Sequence, residues 1–465
     1  MDAEKLYLKL PVGLQNLALS LEGRRIHRRR YNAEYRSLLA EYEKRALWGA
    51  GQTRLFRDAR LAKFVARACL TVPHFRELFG RLGIEPREIR SLADLQALPI
   101  LTKREVQQDR PRFEPDAGHT LPILQIHTSG STGAGLRFPT TWRAHREQWA
   151  VWWRYRGWHG LSPETTCLYF GGRSIVPVDQ TRPPFWRHNR SGRQIMFSAY
   201  HLNDETAPTY LEQMRRSGAL WIHGYPSMVA LIASYALEHG VELKARWVTL
   251  GSENLLPQQE QLIERAFGVL PIEHYGMAEA VTNISMCPAR RLHVDEDFAA
   301  TEFIPMEDGR HRILGTNLSN PAFPLLRYEV GDFASLGDLT CDCGRPGRVV
   351  ERLDGRLEDY VIAKDGAKLG RLDHVFKDLD RVREAQIRQT RVGHMVINVV
   401  KGPGYSDTDD RMLREEVLKR VGNRIDFDIE YVPAVQRTGS EKLRFVMSTL
   451  EHGKVAPATS PLDRD

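Results

Sequence analysis

The spacing of apolar and polar positions divides the chain into stretches of different period. From Tyr31 to about Gly83 apolar residues recur every three or four positions among many Ala, Leu, Glu and Arg. This period predicts helices broken at Pro73, forming an accessory helical layer within residues 1–90. An apolar run at residues 121–126 reads as a strand. Residues 142–158 return to a helical period, and Trp149, Trp152 and Trp153 share a face that suits core packing. Between residues 219 and 279 short apolar runs at 220–222, 247–250 and 272–274 are separated by two helical segments. The first starts after Pro226-Ser227 and stops at Gly240; the second starts at Pro257 and stops at Gly268. Strand, helix, strand, helix, strand predicts a parallel sheet, with ligands at the carboxyl ends of its strands. His223-Gly224-Tyr225, Gly251-Ser252-Glu253-Asn254 and Tyr275-Gly276-Met277-Ala278-Glu279 fall at those ends and are expected to line one crevice. Further polar punctuation lies at residues 327–332 and 355–359, at strand margins. A last block has its own alternation: a strand at 395–400, a helix at 409–421 and strands at 427–432 and 443–447. The expected fold class is therefore α/β, with a large domain over residues 1–357 and a small α+β unit over 358–465.

The strand at 121–126 runs into a loop dense in Gly, Ser and Thr: Thr128, Ser129, Gly130, Ser131, Thr132, Gly133, Ala134 and Gly135. Glycines let backbone N–H groups converge on an anion and the hydroxyls add donors, so the loop can hold phosphate. It is not a Walker loop, because no lysine follows Gly133 or Gly135. Taken alone, an ordinary polar turn accounts for it equally well.

At 465 residues and 42% hydrophobic content the chain can bury two cores. No run approaches the roughly 20 apolar residues that span a bilayer, and a cytoplasmic location is expected. Five cysteines, an odd number, argue against a disulfide framework. Lys plus Arg exceeds Asp plus Glu by only 66 to 59. One basic cluster, Arg24, Arg25, His27, Arg28, Arg29 and Arg30, follows the leucine-rich residues 6–21 and would suit anionic lipid, although Pro11 and Gly13 are expected to interrupt a helix there. No nucleic-acid-binding module accompanies the charge. Cys287, His293, Cys341 and Cys343 make a complete donor set for tetrahedral zinc, while a turn with buried thiols explains the C-x-C pair as well. Cys69 and Cys167 lie in apolar surroundings and read as core.

Taken together, the ordered motifs resemble the adenylate-forming superfamily of acyl-CoA synthetases, luciferases and nonribosomal adenylation domains, most closely its phenylacetate-CoA ligase branch. Residues 197–202, 222–227 and 370–377 are similar to the CapK-like subgroup found with capsule and exopolysaccharide genes. The resemblance implies an AMP-binding N-terminal domain and a mobile C-terminal lid. It assigns Thr128 to Gly133 to the phosphates of ATP, Glu279 to magnesium, Tyr275 to the border of adenine, Asp332 to the ribose hydroxyls and Arg356 to ribose or phosphate. The Gly251-Ser252-Glu253 turn and Gly276 join the nucleotide set. Glu358 stands at the hinge, where an Asp is usual, and Lys442 matches the mobile catalytic lysine. Arg173, His223 and Tyr225 are the expected acyl-pocket residues, although a structural role for Arg173 explains it as well. Members of the branch share a similar Cys/His pattern, which favours zinc.

Three places depart from the family: Gly135 and Arg137 stand where Pro and Lys are common, Ala278 removes a hydroxyl near the nucleotide, and Glu441 replaces the Gly before Lys442. The implied reaction is ATP-dependent ligation of a carboxylic acid, through an acyl-adenylate, to coenzyme A. Transfer to an amine in polysaccharide tailoring, or a non-catalytic scaffold in polysaccharide assembly, are the alternatives. Neither the acid nor the oligomeric state is specified by the motifs.

Overall fold

The computed structural model describes residues 3–118, 121–127, 136–173, 175–177, 179–337, 340–356, 360–364, 368–370, 372–376, 379, 381–402, 404–437 and 443–450. The chain forms two compact units, the first mainly from residues up to Gly355, the second mainly from Arg356 onward.

The first unit opens with helices whose ends are written locally. Pro11 separates Ala3–Leu8 from Val12–Arg30, but Gly13, in the first turn of the second helix, does not interrupt it. The basic cluster is thus the end of a continuous helix. Gln15 and Gly23 are buried on one side, while Leu14, Leu17 and Leu21 are 49%, 54% and 58% exposed. Helices Ala33–Arg45, Ala50–Thr71 and Pro73–Leu82 follow. Pro73 starts the last of them because its fixed φ suits a first turn, and Gly83 ends it in the left-handed conformation at φ 65°. Helix Trp142–Trp158 packs against Ala33–Arg45: Tyr35, Leu38 and Tyr42 share a core with Ala150, Val151 and Trp153. Its other tryptophans also serve structure, since Trp152 donates to Asn283 Oδ1 at 3.0 Å and packs 4.8 Å from the ring of Trp149.

A five-stranded sheet runs in the order Trp186–Asn189, Gln194–Ser198, Cys167–Gly171, Trp221–Gly224, Trp247–Leu250. All but the antiparallel edge strand Trp186–Asn189 are parallel. The apolar helix Pro226–Glu238 covers it, Val229, Ile232 and Ala233 packing on Leu168, Ile222 and Val248. The expected third strand of the 219–279 repeat does not complete this sheet. Ile272 makes only a parallel bridge to Thr249; the chain then pairs antiparallel, as His274–Gly276, with Asn283–Met286. Pro271 has no N–H for a longer ladder, and beyond Ile272 the partner strand captures the chain, Met286 N–H donating to Glu273 O at 3.2 Å. That second sheet continues through Leu292–Val294 to Val349–Val350. A third sheet has the order Ala299–Pro305, His311–Asn317, Tyr328–Ser335, Arg352–Arg356. The strand expected at 121–126 is Ile123–His127; it pairs antiparallel with Arg137–Thr141.

In the second unit, the sheet order is Asp426–Tyr431, His394–Lys401, Val382–Arg391, Val446–Ser448. Helix Asp407–Val421 lays Leu413, Val417 and Val421 on Ile387, Ile397 and Val399. Ser406 caps it, sharing a reciprocal capping box with Asp409. A hairpin, Tyr360–Ile362 with Lys368–Gly370, stands beside this sheet in sequence.

Candidate active site

The first group of predicted residues lies where the strands of the five-stranded sheet end. Gly224 closes Trp221–Gly224 against its neighbour so tightly that an added Cβ would lie 2.3 Å from Phe170 O; only glycine fits there. The turn this allows delivers Tyr225, whose N–H donates to Phe170 O at 3.0 Å, to the start of helix Pro226–Glu238. The Glu253 carboxylate accepts from Ser227 N–H at 3.1 Å, placing negative charge at the helix N-terminus. Ser252, at φ 72°, makes the turn that brings it there. His223 is held by Thr249: its Nδ1 is 2.9 Å from both Thr249 O and Oγ1. With the proton on Nδ1 toward the carbonyl, Nε2 is left as an acceptor. Burial pushes the His223 pKa down to about 3, and the Arg156 charge adds to the effect. The Tyr225 hydroxyl is pushed up to about 12, mainly by burial, with Tyr169, Gly172, Glu253 and Arg173 as neighbours. The structure therefore brings Arg173, His223, Tyr225 and Glu253 into one neighbourhood.

A second group is built on the other sheets. Tyr275 donates its hydroxyl to Asp332 Oδ2 at 2.7 Å, joining strand His274–Gly276 to Tyr328–Ser335. Both residues are half-buried, as is Glu279. The turn carrying Glu279 is pinned from two sides: Gln148 Nε2 donates to Met277 O at 2.7 Å, and Ala280, at φ 55°, donates its N–H to Met277 O at 3.1 Å. Glu279 lies close enough to Tyr328 to raise the pKa of that hydroxyl, which burial already raises. An added Cβ at Gly276 would come within 2.7 Å of Asn283 Oδ1. The two groups are linked electrostatically through His274, pushed down to about 3 by burial and, to a smaller degree, by Arg156 and His223.

Not every predicted site residue can be placed. Thr128, Ser129, Gly130, Ser131, Thr132 and Gly133 lie outside the described residues, as do Glu358 and Lys442 and the side chain of Arg356. Gln148, Thr249, Asn283 and Arg156 were missed by motif reasoning. They lie inside helices or strands, where their polarity has no sequence signature of a site.

The four metal-ligand candidates converge. Their ligand atoms lie within 4.8 Å of one another. Cys287 Sγ is 3.7 Å from Cys341 Sγ, and Cys343 Sγ is 3.4 Å from His293 Nε2. A tetrahedron with Zn–S bonds of about 2.3 Å has S–S edges of about 3.8 Å and S–N edges of about 3.6 Å, so the cluster has the right size. Strand pairing assembles it: Leu292–Val294 lies between Asn283–Met286 and Val349–Val350, which carries the loop with Cys341 and Cys343 toward His293. Arg291 N–H points at Cys287 Sγ from 3.4 Å, a donor that would stabilise a thiolate. Burial lowers the His293 pKa toward the neutral form that ligates. Cys69 and Cys167 are buried, as expected for core thiols, and burial raises both pKa values, to about 12 for Cys69.

Three comparisons with known proteins bear on this arrangement. Over 329 residues the chain is 25% identical to the phenylacetate-coenzyme A ligase of Escherichia coli K12, covering 66% of this chain and 71% of that protein. It shares its fold with 2-hydroxyisobutyryl-CoA ligase in the postadenylation state in complex with R3-HIB-AMP, at TM-score 0.67 and 16% identity, over 87% of this chain and 91% of the other. Fold and relatives define a resemblance: the chain shares its fold with an acyl-CoA ligase of the adenylate-forming class and is similar in sequence to phenylacetate-CoA ligases. Within that resemblance it is also similar to CapK. The CapK C-terminal domain profile matches residues 361–449, and Protein CapK of Staphylococcus aureus is 23% identical over 455 residues, 96% of this chain and 99% of that one. Among the described residues no helix is long and apolar enough to cross a membrane.

Proposed function

We propose that the protein is an ATP-dependent carboxylate ligase. A carboxylate oxygen of the acid attacks the α-phosphorus of ATP, the bond to pyrophosphate breaks, and an acyl-adenylate forms. The thiol of coenzyme A, losing its proton, then attacks the acyl carbon and AMP leaves. The observation that carries the reading is the Tyr275–Asp332 hydrogen bond, which holds side by side the residues assigned to adenine and to ribose. Asp332 is assigned to the ribose hydroxyls. Glu279 offers a half-buried hard oxygen ligand, which suits magnesium arriving with nucleotide phosphates. Magnesium, when bound, offsets the repulsion between the two reacting anions. Thr128 to Gly133 are assigned to the phosphates, Arg356 to ribose or phosphate, and Lys442 to the charge that develops as the carboxylate meets the α-phosphate. His223 and Tyr225 border the acyl group. Neutral His223, with Nε2 free to accept, suits a hydroxyl or amide proton on the acid better than a second cation would.

ATP–pyrophosphate exchange across a broad carboxylate panel tests the first step. Absence of exchange with every acid, from folded protein containing magnesium, would overturn the reading. Adding coenzyme A, or a panel of amines, and identifying a thioester or an amide separates the two acceptors. Zinc at Cys287, His293, Cys341 and Cys343 is part of the same proposal, in a structural role, because all four positions are filled by protein. Metal analysis should find zinc in the purified chain and lose it in Cys341→Ser. A metal-free protein of unchanged thermal stability would refute this assignment.

A further inference from the structure

Arg156, on helix Trp142–Trp158, is 7% exposed, yet no carboxylate pairs with it among the described residues and its Nε is buried without a partner. It is surrounded by rings: its guanidinium carbon is 5.1 Å from Trp153, 5.5 Å from Tyr155 and 5.7 Å from Trp221. Cation–π attraction is worth about 0.5–2 kcal/mol, whereas a buried ion without a counter-charge loses several kcal/mol of hydration. The rings alone leave a deficit.

Two more guanidinium groups share its lack of a carboxylate partner among the described residues. Arg30 is half-buried, 3.7 Å over the ring of Trp149, and Arg173 is exposed; neither is paired with a carboxylate among the described residues. They act on one another: burial lowers the Arg30 pKa first, the Tyr31 hydroxyl opposes it, and the charges of Arg173 and Arg156 lower it further. The other arginines of helix Trp142–Trp158 are paired, Arg143 and Arg146 with Glu34 and Arg154 with Asp295 and Asp297. The cluster also borders the acyl residues. The Trp221 ring that faces Arg156 is 6.1 Å from His223, and the Tyr169 ring, whose hydroxyl feels Arg173, is 5.8 Å from His223.

We infer that Arg30, Arg156 and Arg173 form an anion subsite beside His223 and Tyr225, so that the acid this protein activates carries a second anionic group, a carboxylate or a phosphate ester. The subsite is graded, from the exposed Arg173 through Arg30 to the buried Arg156, as an entry that strips water from the anion in stages. Arg suits the task because its fork binds either oxyanion through paired hydrogen bonds. The inference rests on the ligase reading for its substrate but not for its anion.

The test is exchange by the full-length protein with matched acids: butyrate against succinate, benzoate against isophthalate, glycerate against 3-phosphoglycerate. The member of at least one pair that carries the second anionic group should show a kcat/KM roughly tenfold higher or more, the size of one charge-assisted hydrogen bond, and the pair distinguishes carboxylate from phosphate. Arg156→Gln should erase that preference without an equal loss on the monoanion. Arg173→Gln, at an exposed position, gives the same readout if Arg156→Gln does not fold. Equal rates within every pair, or variants that slow both members alike, would overturn the subsite and leave the ligase intact. Should no acid support exchange, the ligase reading fails and binding alone judges the subsite. A thermal upshift with an acid that carries the second anionic group, absent with its monoanionic partner and lost in Arg173→Gln, supports it; no such difference refutes it.

Discussion

Arg154 and Arg156 sit two residues apart on one helix and live in opposite electrostatic worlds. Arg154 donates to Asp297 at 2.9 and 3.0 Å, to Asp295 at 2.6 Å and to Tyr42 O at 3.3 Å. Arg45 and Arg57 close the same network on Asp297 and Glu296. Although burial pushes the Asp297 carboxyl upward, Arg154 and Arg45 hold it below the usual carboxylate range. Among the described residues Arg156 meets aromatic rings and no acid. About 200° separates the two positions around the helix axis, so one points to the Asp295-Glu296-Asp297 segment and the other toward the ring of Trp221. The contrast shows how to tell a structural charge from a functional one: the first is neutralised within the fold, and the second is left for a ligand.

The largest effect expected is from breaking the closed side. Arg154→Ala strands two buried carboxylates and should cost about 3–5 kcal/mol, read as a large fall in denaturation midpoint. A loss below roughly 1 kcal/mol would mean that water already serves those acids. Next comes Lys442, whose charge, like that of Arg156, is assigned to a ligand. Lys442→Ala should lower acyl-adenylate formation by a factor on the order of 10² and leave transfer from preformed acyl-adenylate far less affected. Equal losses in both half-reactions would make it a structural or general nucleotide-binding residue.

The open side should respond in the opposite sense to the closed one. Arg156→Met keeps most of the volume and removes an uncompensated ion, so stability should hold or rise by about 1 kcal/mol. If it falls as far as for Arg154→Ala, the rings hold Arg156 as a structural element. The smallest effect is in pH dependence. His145, His223 and His274 are each pushed down to about 3 by burial, with nearby arginine charge adding to it. Their unfolded values lie near 6.5, so between about 6.5 and 3 the unfolded chain binds more protons, and stability is lost as pH falls through that window. His223→Gln should flatten the slope of denaturation midpoint against pH in that range. An unchanged slope would show that His223 takes up its proton as readily folded as unfolded.

Much of this architecture was legible in local signals. Helices Trp142–Trp158, Pro226–Glu238 and Pro257–Phe267 follow from apolar period and from Pro-before, Gly-after punctuation, because a helix is stabilised within its own few turns. The donor set of Cys287, His293, Cys341 and Cys343 was legible as chemistry, and so were Tyr275, Glu279 and Asp332 as an ordered set of motifs. Strand partnership was not. Residues 272–274 read as a third parallel strand, and only the competition between Thr249 and the Asn283–Met286 strand for the same backbone decided otherwise.

By itself, then, the sequence determined where several helices start and stop and the chemical types available to the site. Tertiary structure alone decided that Tyr275 reaches Asp332, that four candidate ligands separated by up to 56 residues converge, and which of two near-adjacent arginines is neutralised. The physical reason is range. Helix propensity, turns and caps act over a few residues, while a hydrogen bond or an ion pair depends on distances that chain folding sets between segments far apart in sequence.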